Sequence, residues 1–298
     1  MAVSCNERHF ASVSGKAAVR YLTWKDSSKQ PIGIYLIAHG VCEHIDRFDE
    51  FAQYLVNRGF IVYGEDHLGH GKTAGDVENI GQMPLDADKY IVEDMHVLYN
   101  IAKTENPGIP VFMLGHSMGS FIAKLYSAKY GNGLKGIVYC GTGSYPNALR
   151  YIEKPYKALI NFIGPEKSML VNGNMLTISW ISVDKDNRRE YLKDPLITKY
   201  YSLGLLRDLG LFAVDSSKKG WDNTIPKDLP IFIISGSSDI VGFCSIGVNK
   251  TEKDLLESGH TNVEKVLYKG YRHEILRESG VKEQVFKDVY DWTMKNFN

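Results

Sequence analysis

Short apolar runs alternate with longer stretches of helical period along most of this chain, and the runs end in Gly or Asp. "IGIYLIAHG" (Ile32 to Gly40) is followed by Phe48, Phe51 and Leu55, spaced as on one helix face. "FIVYGED" (Phe60 to Asp66) predicts the next strand. Ile91, Met95, Leu98 and Ala102 then predict a long amphipathic helix stopping near Asn106-Pro107-Gly108. "PVFMLG", a helix from Ser117 to about Tyr130, and "KGIVYCG" (Lys135 to Gly141) continue the alternation. Near the end, "PIFIISG" (Pro230 to Gly236) and "EKVLYKG" (Glu264 to Gly270) bracket a helix, and Val285, Val289 and Trp292 mark a closing one. Strands that are apolar throughout belong to a sheet covered on both faces. The pattern predicts an α/β fold with a mainly parallel central sheet flanked by helices.

The alternation breaks between about Thr142 and Lys219. Tyr145, Tyr151, Tyr156, Leu159, Phe162 and Ile163 there have helical spacing without strand-like partners. The segment 142–219 is expected to be a helical cap, a lid over an apolar pocket inserted before the last strands. Residues 1–141 and 220–298 are expected to form the core.

Composition narrows the classes. Thirty-five basic residues balance thirty-five acidic ones with no long run of either sign, which removes the footprint of a nucleic-acid binder. Cys5, Cys42, Cys140 and Cys244 are far apart and read as free thiols in a reducing compartment. The first residues, "MAVSCNERHF", carry charges where a signal peptide needs an apolar core, and no apolar run approaches a membrane span. A cytoplasmic protein is expected.

The candidate chemistry sits in "VFMLGHSMGSF" (Val111 to Phe121). G-x-S-x-G alone is a weak signal, with about 0.2 matches expected by chance in such a chain. Here it falls where a strand meets a helix, as a nucleophile elbow requires. Gly115 and Gly119 leave room for the turn, and Ser117 stands near a helix N-terminus that favours developing negative charge. A serine hydroxyl needs a general base. His273 follows the last strand, whereas His260 precedes it and so lies at the opposite edge. The His116 ring, on the turn itself, is expected to point elsewhere. Asp239, at the carboxyl end of "IFIISG", is the candidate third member, ahead of Asp215 and Asp222 in irregular sequence. Ser117, Asp239, His273 is the order of the α/β hydrolases. The oxyanion needs two amides: Met118, after the serine, and Val41, in the loop "IAHGVCEH". A metal reading of His39, His44, His67 and His70 with Asp66 lacks convergence plus an open position, so neither metal nor cofactor is expected.

With these residues the chain resembles the monoacylglycerol lipase and lysophospholipase group of the α/β hydrolase superfamily. "HGVCEHIDRF", "DHLGHGKT", "DADKYIVEDMHVLYNIAKTENPGIPVFMLGHSMGS", "YLKDPL", "SGSSDIV" and "YRHEILRE" carry the resemblance over nearly the whole chain. It implies Ser117, Asp239 and His273 as a triad, with the Val41 and Met118 amides as oxyanion hole. It also implies that Glu43, Arg47 and Tyr191 lie near the polar end of the pocket. Animal monoacylglycerol lipases often carry a second histidine three residues after the catalytic one; this chain has Leu276. The expected activity is cleavage of a monoacylglycerol or similar single-chain lipid ester through an acyl-enzyme. The alternatives are a carboxylesterase for short or aromatic esters, a lysophospholipase, or a non-catalytic binding protein on this scaffold. The expected partner is a small lipid, with transient membrane contact through the cap compatible with it.

Overall fold

The computed structural model describes residues 3–84, 86–146 and 153–297. Each apolar run is a strand of one eight-stranded sheet: β3 (Gly33–Ala38), β4 (Phe60–Glu65), β5 (Val111–His116), β6 (Gly136–Cys140), β9 (Ile231–Gly236) and β10 (Val263–Tyr268). These six pair in parallel in the order β4-β3-β5-β6-β9-β10. Two further strands, β1 (Ser4–Ala11) and β2 (Ala18–Lys25), extend the edge antiparallel beyond β4. Their pattern did not declare them. β1 is mostly exposed and polar, and β2 carries Arg20 in its interior, buried by ion pairs with Glu7, Asp46 and Asp66.

Because strand side chains alternate between faces, the central strands feed two cores. Ile34, Leu36, Met113, Ile137 and Ile233 face α2 (Ala87–Glu105) and α3 (Met118–Tyr130). Tyr35, Ile37, Phe112, Val138 and Phe232 face α1 (Asp49–Val56) and α8 (Lys282–Lys295). The helix stripes are those the spacing gives: Phe51 and Leu55 on α1, Ile91, Met95, Leu98 and Ala102 on α2, and Val285, Val289 and Trp292 on α8 are all buried. Phe48 belongs to the 3-10 turn just before α1. Each fully buried large apolar side chain contributes about 2–3 kcal/mol, so the doubly covered sheet makes a rigid floor. α7 (Ile246–Glu257) is the helix between β9 and β10.

Between β6 and β9 the chain forms α4 (Glu153–Ile163), β7 (Ser168–Leu170), α5 (Lys185–Lys193), β8 (Tyr200–Ser202) and α6 (Leu203–Asp215). Contrary to the reading without strand partners, β7 and β8 pair as an antiparallel ribbon. At three residues each they are too short to show a period. Ile178, Ile181, Tyr191 and Ile197 form a small core of this segment. Leu159, Phe162 and Ile163 of α4, taken for lid residues over a pocket, are exposed, with Phe162 89% accessible. Tyr151 and the Tyr156 side chain lie outside the described residues. α6 instead packs on α3 and supplies the apolar lining above the sheet.

Candidate active site

In a parallel sheet the carboxyl ends of the strands open onto one edge, where loops carry function. β3, β5, β6, β9 and β10 all end there, and the register sets Ala38 beside Gly115 and His116 beside Cys140. At the end of β5 the backbone turns sharply into α3. Ser117 has φ 56° and ψ −122°, a conformation that costs a non-glycine residue of order 1–3 kcal/mol. Gly119 makes this possible: a β-carbon there would overlap the Ala38 carbonyl oxygen, so α3 starts pressed against β3. The turn presents the serine at the foot of α3, where free amides and the helix dipole favour an anion.

The acid comes from the end of β9. Asp239 is fully buried; its Oδ1 accepts from the Val241 amide (2.9 Å), and its Oδ2 lies 2.8 Å from His273 Nδ1. Burial alone would raise the carboxyl, yet the His273 ring and the Val241 amide hold it below its ordinary value. The loop after β10 reaches it because Gly236 has no side chain. A β-carbon there would overlap the carbonyl oxygens of Tyr271 and Arg272. His273 is 3% exposed, and its Nε2 has no partner among the described residues. Ser117 and His273 line the same small chamber, of about 20 Å³. Ser117 and Val41 also line a second, much larger cavity of about 580 Å³, walled mainly by apolar side chains including Phe121, Leu206, Val214 and Trp180.

The His116 ring is directed at Glu43. Its Nδ1 is 2.7 Å from Glu43 Oε1, and its ring centre lies 4.9 Å from that of His273. Burial works against the charged imidazole, but the adjacent Glu43 carboxylate raises its pKa overall. The same Glu43 oxygen accepts from the Gly40 amide at 2.5 Å, and Glu43 is held well below the carboxylate range despite burial. One carboxylate therefore joins the loop after β3 to the turn after β5. Arg47 stands behind it, 3.4 Å from Glu43 Oε2 and 2.7 Å from Glu274 Oε1, with its guanidinium 5.3 Å from the Tyr191 ring centre. Glu43 and Tyr191 border the small chamber with Ser117. Arg47 is one layer back, where it and Leu276 line a narrow gap.

Glu274 is a site neighbour that the residue pattern did not single out. It follows His273 directly, pairs with Arg47 and accepts from Asn187 of α5 (2.8 Å), tying the β6–β9 segment to the loop after β10. Adjacency to His273 was its one available signal. Asp215 borders the large cavity and pairs with Lys218, while His260 is held by Ser258 and the Leu255 carbonyl.

The histidines read against a metal have other engagements. His39 Nε2 accepts from the His67 amide, and His70 Nδ1 donates to the Leu68 carbonyl. Burial lowers the pKa of His39 and His70 and brings His67 to about 3. His44, Asp46 and Asp66 do lie together, but Arg20 donates to both carboxylates. No helix among the described residues is long and apolar enough to cross a membrane.

A parallel sheet with a serine elbow, a buried Asp–His pair and a loop at the elbow's side defines an α/β hydrolase. Residues 29–280 match the model of the serine aminopeptidase S33 family, and the chain belongs to that family. It is 28% identical over 274 residues to the monoglyceride lipase homolog of Monkeypox virus, covering 90% of this chain and 91% of that one. It is 26% identical over 292 residues to the monoacylglycerol lipase of Mycolicibacterium smegmatis, covering 98% of each. A thermostable carboxyl esterase from Bacillus coagulans, solved in complex with glycerol, superposes with a TM-score of 0.91 at 29% identity, over all of both chains. The likeness to the monoacylglycerol lipase group read from the motifs is borne out.

Proposed function

We propose that this carboxylic ester hydrolase cleaves single-chain acylglycerols through an acyl-enzyme on Ser117. The observation that carries the reading is the pair of unequal chambers meeting at one serine. The 580 Å³ apolar cavity suits an acyl chain. The small chamber of about 20 Å³, bordered by Glu43, His273 and Tyr191, sets polar groups beside the serine with room for about one water, so a glycerol would have to widen it. The relatives named for monoacylglycerol cleavage, and the esterase solved with glycerol, support the same division.

In this reading Ser117 Oγ attacks the ester carbonyl carbon while His273 Nε2 takes the hydroxyl proton. Asp239 accepts from Nδ1–H, fixes the tautomer and stabilises the imidazolium. The amides of Val41 and Met118 bind the oxygen that becomes negative. The carbon–oxygen bond to glycerol breaks, and its oxygen receives the proton from His273. Water then attacks the acyl carbonyl, again losing its proton to His273, and the fatty acid leaves as Ser117 Oγ is reprotonated.

Residues 142–219 serve as the cap over the large cavity. Phe162 and Leu176, 89% and 81% accessible, would meet a lipid surface from which substrate enters. Weaker sedimentation of a Phe162→Ser, Leu176→Ser variant with vesicles checks that contact, and wild-type sedimentation would exclude it. A carboxylesterase for short or aromatic esters is the second reading, favoured by the apolar Leu276, buried behind Glu43 and Arg47, at the position where the resemblance would have placed a second histidine. Hydrolysis rates of monoacylglycerols against aryl esters of the same acids separate the two. Ser117→Ala should keep its melting temperature and lose both activities; near-wild-type rates in that variant would end the assignment.

A further inference from the structure

Most interior glycines here are spaces that a side chain could not enter, but Gly210 is the reverse. It lies in the middle of α6, where a glycine weakens a helix relative to alanine. A β-carbon at this position meets nothing within 4 Å. Gly210 is itself exposed, and the space it opens onto is the large cavity. Leu206, Gly210, Ala213 and Val214, at spacings of three and four, form one stripe, and all four line the large cavity that Ser117 also lines. The opposite stripe, with Leu205 and Phe212, is buried in the main core. Gly210 is therefore a notch at the centre of the cavity-facing stripe, between Leu206 and Val214.

We infer that Gly210 sets the acyl-length range of the enzyme: the notch admits the chain beyond the carbonyl, and a side chain there would occupy the room it needs. The inference rests on the large cavity being the acyl site. An apolar wall discriminates between chains through volume, with each misplaced methylene changing rates by about tenfold or more. Gly210 does this work by lacking atoms, which is why no motif marks it. Asp215 and Arg207 border the same cavity but are committed elsewhere, Asp215 to Lys218 and Arg207 to its neighbour Asp208.

The test is a graded series, Gly210→Ala, Gly210→Val, Gly210→Leu and Gly210→Phe, assayed on p-nitrophenyl esters from acetyl to palmitoyl. The alcohol is constant, so only the acyl chain varies. Thermal unfolding shows which variants fold, and alanine, a better helix former in open space, keeps at least one informative. The expected result is a kcat/KM optimum that steps to shorter acyl chains with side-chain size. The ratio of long-chain to short-chain kcat/KM should fall by about tenfold or more at Leu. A length profile at Leu that superposes on wild type, or a loss equal at every length, overturns the inference. Separately, wild-type hydrolysis of 1-monoacylglycerols tests the glycerol reading. Its absence, with the length profile still shifting, would remove that reading and leave the notch standing. If the series leaves the p-nitrophenyl profile unmoved but shifts the rates on acetate esters of alcohols of graded length, the acyl assignment of the cavity and the inference fall together.

Discussion

Replacing Glu43 by glutamine keeps the shape of the side chain and removes its charge. In the native protein that carboxylate meets the His116 ring at 2.7 Å, the Gly40 amide at 2.5 Å and Arg47 at 3.4 Å, all nearly or wholly out of water. Breaking a buried pair by removing one partner costs about 3–5 kcal/mol. Arg47 keeps Glu274, so its charge stays matched. His116 loses its carboxylate, and burial then drives the ring neutral. That relaxation puts the loss at the low end, about 3 kcal/mol. At about 2 °C per kcal/mol for a chain of this size, the melting temperature should fall by about 6 °C. The sign with pH follows from the two shifts. Glu43 is depressed, so its contribution is present above its ordinary value of 4.5 and is lost as pH falls toward its lower folded value. His116 is raised, so its contribution is full below 6.5 and is lost as pH rises through its folded value. Calorimetry between these two values should show the widest gap between variant and wild type. Turnover should fall as well, because the same oxygen holds the Gly40–Val41 loop beside Ser117. A variant melting within about 1 °C of wild type in that window would refute the claim that this ion pair holds the two loops together.

Two further outcomes test other parts of the account. Asp239→Asn leaves the fold in place but offers His273 the wrong tautomer, so turnover should fall by about four powers of ten; a loss under tenfold would take Asp239 out of its role. His44 lies between Asp46 (3.1 Å) and Asp194 (2.9 Å), joining the loop after β3 to the end of α5. Burial opposes its charge, but these carboxylates raise its pKa from 6.5 to about 9. Its contribution is full below 6.5 and is lost as pH rises through about 9. At about 1.4 kcal/mol per pH unit that gap is worth about 3.5 kcal/mol at most. Wild type should lose stability relative to His44→Gln across that range, and parallel curves would contradict the bridge.

How far the sequence could be read depended on whether a residue's role lay in its own neighbourhood. β3, β5 and β9 announce themselves because both faces are covered, and continuous apolar runs result. The elbow was legible because Gly115 and Ser117 answer a local demand of the turn. β1 and β2 were not, since one is polar at an exposed edge and the other hides a buried Arg20 whose partners come from three distant places. The β7–β8 ribbon has too few residues for any period. His116 shows the limit most clearly. Its position beside the serine was plain, but its orientation depends on Glu43, which arrives from the loop after β3. Glu274 and Gly210 likewise depend on what the fold brings opposite them, Arg47 in one case and an open cavity in the other.

The central claim is that one hydroxyl, at the meeting of a large apolar chamber and a small polar one, carries the acyl group. Intact-mass spectrometry of enzyme quenched during turnover of a p-nitrophenyl ester tests it most directly, followed by peptide mapping. The account predicts a mass increase equal to the acyl group, located on Ser117 and absent from Ser117→Ala. An active enzyme whose acyl adduct maps to another residue, or whose Ser117→Ala variant still forms it, would contradict the account.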